Sequence, residues 1–199
     1  MLTKRRYDSE KVKKEIMESA LLLFSQNGYN QTSVADLSKA SGYSKGHIYY
    51  HFQNKEKLFV LLARKTIEEW HEKWIRKAAA YSSATEKLYG MARHVLYNYQ
   101  TPLLKSGQEL ASNPDSSAGL VKELYDLSIV PKNAYRAVLQ EGMDNGEFAI
   151  ENMDESAILL EAWLRGLCQL TSIQELSELE PLLNEAITIF LRSISKGDT

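Results

Sequence analysis

Between Ser33 and Phe52 the chain starts two helices in quick succession, and this stretch constrains the fold more than any other. Thr32 or Ser33 can accept a free backbone N–H at the start of a helix, and Asp36 in its first turn suits the positive end of the helix dipole. That helix is short, ending near Ser41-Gly42. Ser44 then caps a second one carrying Lys45-Gly46-His47-Ile48-Tyr49-Tyr50-His51-Phe52. Two short helices joined by about three residues form a helix-turn-helix. Val34 and Leu37 are the buried positions expected of the first helix, with Ala40 small where the two helices approach. Gly42 permits the turn. Ile48 and Phe52, four apart, anchor the second helix by its inner face. Lys45, Gly46, His47, Tyr49 and Tyr50 are then offered outward. A glycine inside a helix costs about 1 kcal/mol relative to alanine. Gly46 therefore points to a first turn that comes close to a partner, and in a recognition helix that partner is a DNA backbone or base edge.

The remaining pattern is also helical. A first helix is expected over about Ser9–Asn27, with Ile16, Ala20, Leu23 and Phe24 on one face and Gly28 behind it. Asn54 caps a helix that runs to about Ala80. Another spans about Ser83–Leu104, and Asn113-Pro114-Asp115 is a turn. A helix from Ser117 is expected to be interrupted at Pro131 before resuming to Asn145-Gly146. Asp154 caps an apolar helix through Ser172, and Ser177 or Glu178 begins the last, ending near Ser195. Asp144-Asn145-Gly146 also fits a hairpin with Phe148 and Ile150 on its second arm, but the helical pattern from Tyr135 to Met143 favours a helix end. The expected fold class is all-α: an N-terminal three-helix helix-turn-helix domain over residues 1–57, then a larger helical bundle over 58–199.

Composition narrows the function classes. Four prolines and ten glycines in 199 residues disfavour a disordered or loop-rich chain. Cys168 is alone, which excludes an internal disulfide framework and a CxxC site and fits a reducing cytoplasm. No apolar run approaches membrane-spanning length, and no secretory leader is expected in the first thirty residues. Net charge is −2, but residues 1–57 hold ten Lys/Arg against six Asp/Glu, a net of +4. The remainder holds fourteen against twenty, a net of −6. The basic first part is the candidate for phosphate contact. Lys4, Arg5 and Arg6 either extend that basic surface as an arm or only solubilise the terminus. No nucleophile–base constellation or phosphate-cradling loop is visible, so no enzyme and no cofactor are expected. His47 and His51 have zinc-site spacing, but Ile48 stands where a metalloprotease needs Glu, and no metal is expected.

Ala20-Leu21-Leu22-Leu23-Phe24, Gly28-Tyr29, Thr32-Ser33-Val34-Ala35-Asp36-Leu37, Ala40, Gly42-Tyr43-Ser44-Lys45-Gly46, Ile48-Tyr49-Tyr50-His51-Phe52, Asn54-Lys55-Glu56 and Leu58 resemble the TetR/AcrR signature in order and spacing. Two departures stand out: Tyr43 where valine is common, and His47 where Thr, Ala or Ser is usual. The resemblance implies that Thr32 and Ser33, with helix N-terminal amides, contact phosphate. It places Ser44, Lys45, Gly46 and His47 against the major groove, with Lys45 and His47 the candidates for base reading. Tyr49 and Tyr50 would meet phosphate or a thymine methyl, His51 would hydrogen-bond phosphate, and Lys55 would add a charged phosphate contact.

The resemblance also implies a homodimer that binds a palindromic double-stranded operator and is released by a small-molecule effector, most simply as a repressor. A regulator of the same fold answering to a protein partner, or lacking an effector, is the alternative. Trp74, Met91, Tyr97, Tyr125 and Trp163 are candidates to line an effector pocket, although aromatics at helical spacing more often fill a core. The last two long helices are apolar over most of their circumference, so burial on more than one side is expected. Leu160, Leu164, Leu167, Leu183, Ile187 and Phe190 are the candidates for the dimer face. Gly166 would permit close helix approach there. Cys168 reads as an inert buried thiol.

Overall fold

The computed structural model describes residues 2–99 and 103–195, with residues 2–8 as backbone alone. These residues form nine α-helices: α1 (Leu2–Asn27), α2 (Val34–Ser41), α3 (Lys45–Phe52), α4 (Lys55–Ala78), α5 (Ala84–Asn98), α6 (Leu104–Ser112), α7 (Ala118–Asp144), α8 (Met153–Cys168) and α9 (Leu176–Ile194). A 3-10 turn (Gln169–Ser172) follows α8. The fold is all-α, and none of the described helices is long and apolar enough to cross a membrane. The side chains of Lys4, Arg5 and Arg6 lie outside the described residues.

Several boundaries depart from the pattern, each for a local reason. Helix α1 begins at Leu2 rather than Ser9, since no proline or glycine precedes Ser9 to stop it. The stretch expected as one helix to Leu104 is two, α5 ending at Asn98 and α6 starting at Leu104. A proline at 102 has no N–H for the Asn98 carbonyl. Pro131 does the opposite of what was expected: α7 passes through it unbroken, with one bond missing from the ladder. Asn152, not Asp154, caps α8 by accepting the Glu155 N–H at 3.2 Å. Helix α7 ends at Asp144 as a helix end and not a hairpin. Phe148 instead makes an isolated antiparallel bridge to Ser195, beside a bond from the Ala149 N–H to the Ile194 carbonyl at 2.7 Å.

The chain divides into two compact units. The first comprises Met1–Thr66 and Thr101–Leu127, and so is larger than residues 1–57. Its core gathers Ile16, Ala20 and Phe24 of α1, Leu37 of α2, Ile48 and Phe52 of α3, and Leu58, Phe59 and Leu62 of α4. Phe24, Tyr29 and Phe59 form its aromatic centre, with ring centroids 5.3–5.5 Å apart in stacked and edge-on pairs. The second unit comprises Ile67–Gln100 and Ser128–Thr199. There α5 packs on α9, and both pack on α8, around Trp74, Leu88, Met91, Leu139, Leu160, Leu164 and Ile187. Burying each such side chain contributes about 1.5–3 kcal/mol. Phe148 closes this core against Gly142, where a Cβ would fall 2.0 Å from its ring.

Candidate nucleic-acid interface

Helix α2 is started by a reciprocal capping box. The Asp36 N–H donates to Ser33 Oγ at 3.2 Å, while the Ser33 N–H and hydroxyl donate to Asp36 Oδ2 at 2.9 and 2.6 Å. The Ser33 bonds hold the Asp36 carboxyl below its usual range. Gly42 stops the helix with φ 74°, its N–H donating to the Ser38 carbonyl. No side chain fills the space beside Gly42, so it is the backbone angle that selects glycine. The turn is then stitched at Tyr43. The Ser38 hydroxyl donates to the Tyr43 carbonyl at 2.6 Å, and the Tyr43 hydroxyl donates to the Glu15 carboxylate on α1.

Helix α3 begins at Ser44, whose Oγ accepts the His47 N–H at 3.3 Å. Ile48 and Phe52 are both fully buried and fix the roll of this helix. Its exit is a tight turn at Gln53, with φ 65° and ψ −51°, across which the Asn54 N–H reaches the Phe52 carbonyl at 2.7 Å. A non-glycine residue in that conformation is strained, and it sets the direction in which α4 leaves. Asn54 then caps α4 through the Lys57 N–H at 2.8 Å.

The outward face is what this roll leaves uncovered. Ser44, Lys45, Gly46, His47, Tyr49 and Tyr50 are all exposed, Tyr50 to 81%. A Cβ added at Gly46 would meet only Ser44 Oγ, at an ordinary 3.6 Å. Nothing inside the chain therefore requires glycine at that position. His51 is half-buried, and burial together with the nearby His47 and Lys13 pushes its pKa down.

Three residues read from the signature sit elsewhere than expected. Thr32 is buried, and its hydroxyl donates to the Gly28 carbonyl at 2.8 Å, so its side chain holds the turn after α1 and does not reach the surface. The Lys55 ammonium donates to the carbonyls of Tyr29 at 3.0 Å and Thr32 at 2.9 Å and lies 3.9 Å from the centre of the Tyr29 ring. Burial lowers its pKa. Two of its three N–H donors are thus engaged inside the unit. Ala40 is exposed and marks no close approach of helices. Glu15 and the Tyr43 hydroxyl escaped the sequence reading, although the unusual tyrosine at 43 was the signal that could have revealed them.

Residues 16–62 match the profile of bacterial regulatory proteins of the tetR family, and residues 66–196 match that of the QacR-like protein C-terminal region. The chain belongs to the TetR family. The HTH-type transcriptional regulator QacR of Staphylococcus aureus is 29% identical over 192 residues, covering 93% of this chain and 99% of that one. The HTH-type transcriptional repressor AcnR of Corynebacterium efficiens is 30% identical over 135 residues, 67% of each chain. Among solved structures, the transcriptional regulator FadR from Bacillus subtilis in complex with stearoyl-CoA superimposes with a TM-score of 0.73 at 19% identity, over 89% of this chain and 97% of that one.

In this TetR-family chain the second unit rearranges the effector and dimer candidates. Trp74 and Met91 are fully buried together in its core. Trp74 lies 5.7 Å from the ring of His94, a buried imidazole whose pKa burial pushes down to about 4. Tyr97 is exposed and donates to Glu180 at 2.6 Å. Tyr125 is 71% exposed and belongs to the first unit. Trp163, 40% exposed, lines an open groove of about 670 Å³ with Ile150, Leu159, Phe190 and Ile194.

The dimer candidates need correction. Leu160, Leu164, Leu183, Ile187 and Phe190 are buried in the chain's own core, with Leu167 packed against it. They are the inner stripes of α8 and α9. The outer stripes are Ile158, Leu159 (64% exposed) and Trp163 on α8, and Leu182 and Ile189 on α9. Gly166 has open space where a Cβ would stand. Cys168 is buried, and burial pushes its thiol up to about 12, far from a reactive thiolate.

Proposed function

We propose that the protein is a homodimeric repressor that binds a palindromic operator through the outward face of α3 and is released by a small-molecule effector. The observation that carries this reading is Gly46. Its missing Cβ serves no packing inside the chain, yet it clears the first turn of a helix whose exposed residues are lysine, histidine and tyrosine. A helix N-terminus so cleared accepts phosphate or a base edge at its amides. Ser33, Ser44, Tyr49, Tyr50 and His51 would position the protein on the backbone, while Lys45 and His47 would face bases.

Residues 1–57 carry the DNA-binding role on this reading, and 58–199 carry effector binding and dimerisation. The outer stripes of α8 and α9 supply the dimer face, because apolar side chains as exposed as Leu159 and Trp163 gain most from a second copy. A twofold dimer must set its recognition helices about one DNA turn, ~34 Å, apart. An effector favouring a differently spaced dimer lowers operator affinity by its difference in binding to the two states. Such a protein turns nothing over; it works as a switch in the cytoplasm, where its operator is.

The test is to select genomic fragments bound by the purified protein and measure their affinity by fluorescence anisotropy against salt concentration. A palindromic site, with affinity falling steeply as salt rises, supports the reading. Unchanged affinity for that site in both Lys45→Ala and Tyr50→Ala would sink it. Compounds that release the wild-type protein from the selected site then define the effector class.

A further inference from the structure

The two departures from the family signature, Tyr43 and His47, meet in the fold. Their ring centroids are 5.9 Å apart with planes inclined by 59°, inside the range of favourable aromatic pairs. Tyr43 is itself held at both ends: its hydroxyl donates to Glu15 on α1, and its carbonyl accepts the Ser38 hydroxyl. The Glu15 bond also raises the phenol pKa, so this hydroxyl stays a donor. On its other side the His47 ring is fixed by Ser44, whose Oγ lies 2.9 Å from Nδ1.

Ser44 Oγ already accepts the His47 backbone N–H as the cap of α3. Its own proton is free to be given away, and the nearest ring nitrogen is Nδ1. With Ser44 as that donor, Nδ1 accepts, and the ring N–H is the one at Nε2. In that tautomer the exposed end of His47 is a single N–H donor, carried on a ring that two neighbours hold in place.

A lone donor meets the edges that bases show in the major groove unequally, and is best served where two acceptors stand side by side. Guanine offers two acceptors there, N7 and O6, with no donor beside them. Adenine sets an amino donor next to its N7, thymine offers the single acceptor O4 beside its methyl group, and cytosine presents a donor alone. We propose that His47 selects a guanine in each half-site, donating from Nε2 to N7 or O6, with Tyr43 and Glu15 as positioning residues that hold the ring. This deepens the operator-binding reading and rests on α3 facing DNA.

The experiment selects bound sequences from a random double-stranded DNA library with the full-length protein and with His47→Ala, Tyr43→Phe and Tyr43→Val. The wild type should yield a palindrome with a guanine at one fixed position per half-site. His47→Ala should lose the preference at that position alone, by about fivefold, the worth of one net hydrogen bond. Tyr43→Val should blunt it at the same position, and Tyr43→Phe should do so less. Replacing that guanine with 7-deazaguanine, which lacks N7, or with 6-thioguanine, whose sulfur is a weak acceptor in place of O6, should in one of the two cases weaken wild-type binding by a similar factor and leave His47→Ala indifferent.

Thermal melts identify any Tyr43 variant that has lost its fold, and the 7-deazaguanine comparison needs no Tyr43 variant. A His47→Ala selection identical to wild type, or any base other than guanine at the position that His47→Ala relaxes, overturns the proposal while leaving DNA binding intact. Failure of the wild type to select any sequence, with no salt-dependent binding, overturns the operator reading itself.

Discussion

Replacing Lys55 by methionine keeps most of the stem and removes the ammonium from the Tyr29 and Thr32 carbonyls. A hydrogen bond to a charged donor contributes about 1.5–3 kcal/mol, and an ammonium that water still reaches adds about 0.5–1 kcal/mol over an aromatic face. Lys55 is only half-buried, so water can reach part of the space it vacates, and the lower ends of those ranges apply. Two bonds and one ring contact then sum to about 3.5 kcal/mol, less what water recovers, or roughly 2–3 kcal/mol. In a chain of this size that lowers Tm by about 5–10 °C. Chemical unfolding gives the stability change, and anisotropy titrations of the selected operator at several salt concentrations give the slope of log K against log salt. An ammonium engaged inside the unit leaves the slope at its wild-type value while overall affinity falls. A variant of unchanged stability whose slope shrinks by about 0.9 would refute the reasoning, because that is the signature of one lost phosphate contact.

Two glycines in the same motif should respond with opposite signs. Gly42→Ala forces a Cβ into φ 74° and should destabilise the protein by about 1–2 kcal/mol. Gly46→Ala should stabilise it by up to about 1 kcal/mol in the same denaturation assay, yet weaken operator binding at least tenfold. His94 is neutral in the folded protein and has a folded pKa of about 4 against 6.5 unperturbed, so the unfolded chain takes up its proton first. The stability it contributes is full above pH 6.5 and is lost as pH falls through about 4, by roughly 3 kcal/mol in all. Denaturation curves between pH 7 and 4 should therefore slope more steeply for the wild type than for His94→Gln; parallel curves would discard this assignment. Leu159→Glu should give a folded monomer by analytical ultracentrifugation, whereas Leu164→Glu, from the inner stripe of the same helix, should not fold.

What could be read from the chain alone was mostly what local chemistry decides. Ser33, Gly42, Ser44 and Asn54 act through their own backbone neighbourhoods, and α2, α3 and the start of α4 begin where these residues put them. Ile48 and Phe52 followed from spacing. Tertiary choices were not visible. A helix apolar around most of its girth does not say which stripe faces home, so its pattern alone does not separate Leu160, Leu164, Leu183 and Ile187, which fill the core, from a dimer face. Thr32 and Lys55 carry surface-type chemistry, and their partners are carbonyls that the fold delivers from other segments. Pro131 breaks a helix only when neighbouring turns cannot hold it, and those of α7 do. Tyr125 and Trp74 look alike in sequence, yet the chain assigns them to different units.

Helix α3 divides its labour by position. Eight residues are too few for a helix that stands alone in water, so its shape is lent by Ile48, Phe52 and the caps at either end. The outward residues at 45, 47, 49 and 50 contribute little to holding it, and surface substitutions of that kind usually change stability by less than about 0.5 kcal/mol. The address such a helix reads can therefore drift almost independently of the scaffold that presents it. A duplicated gene could acquire a new target by changing a few exposed side chains while every intermediate still folds.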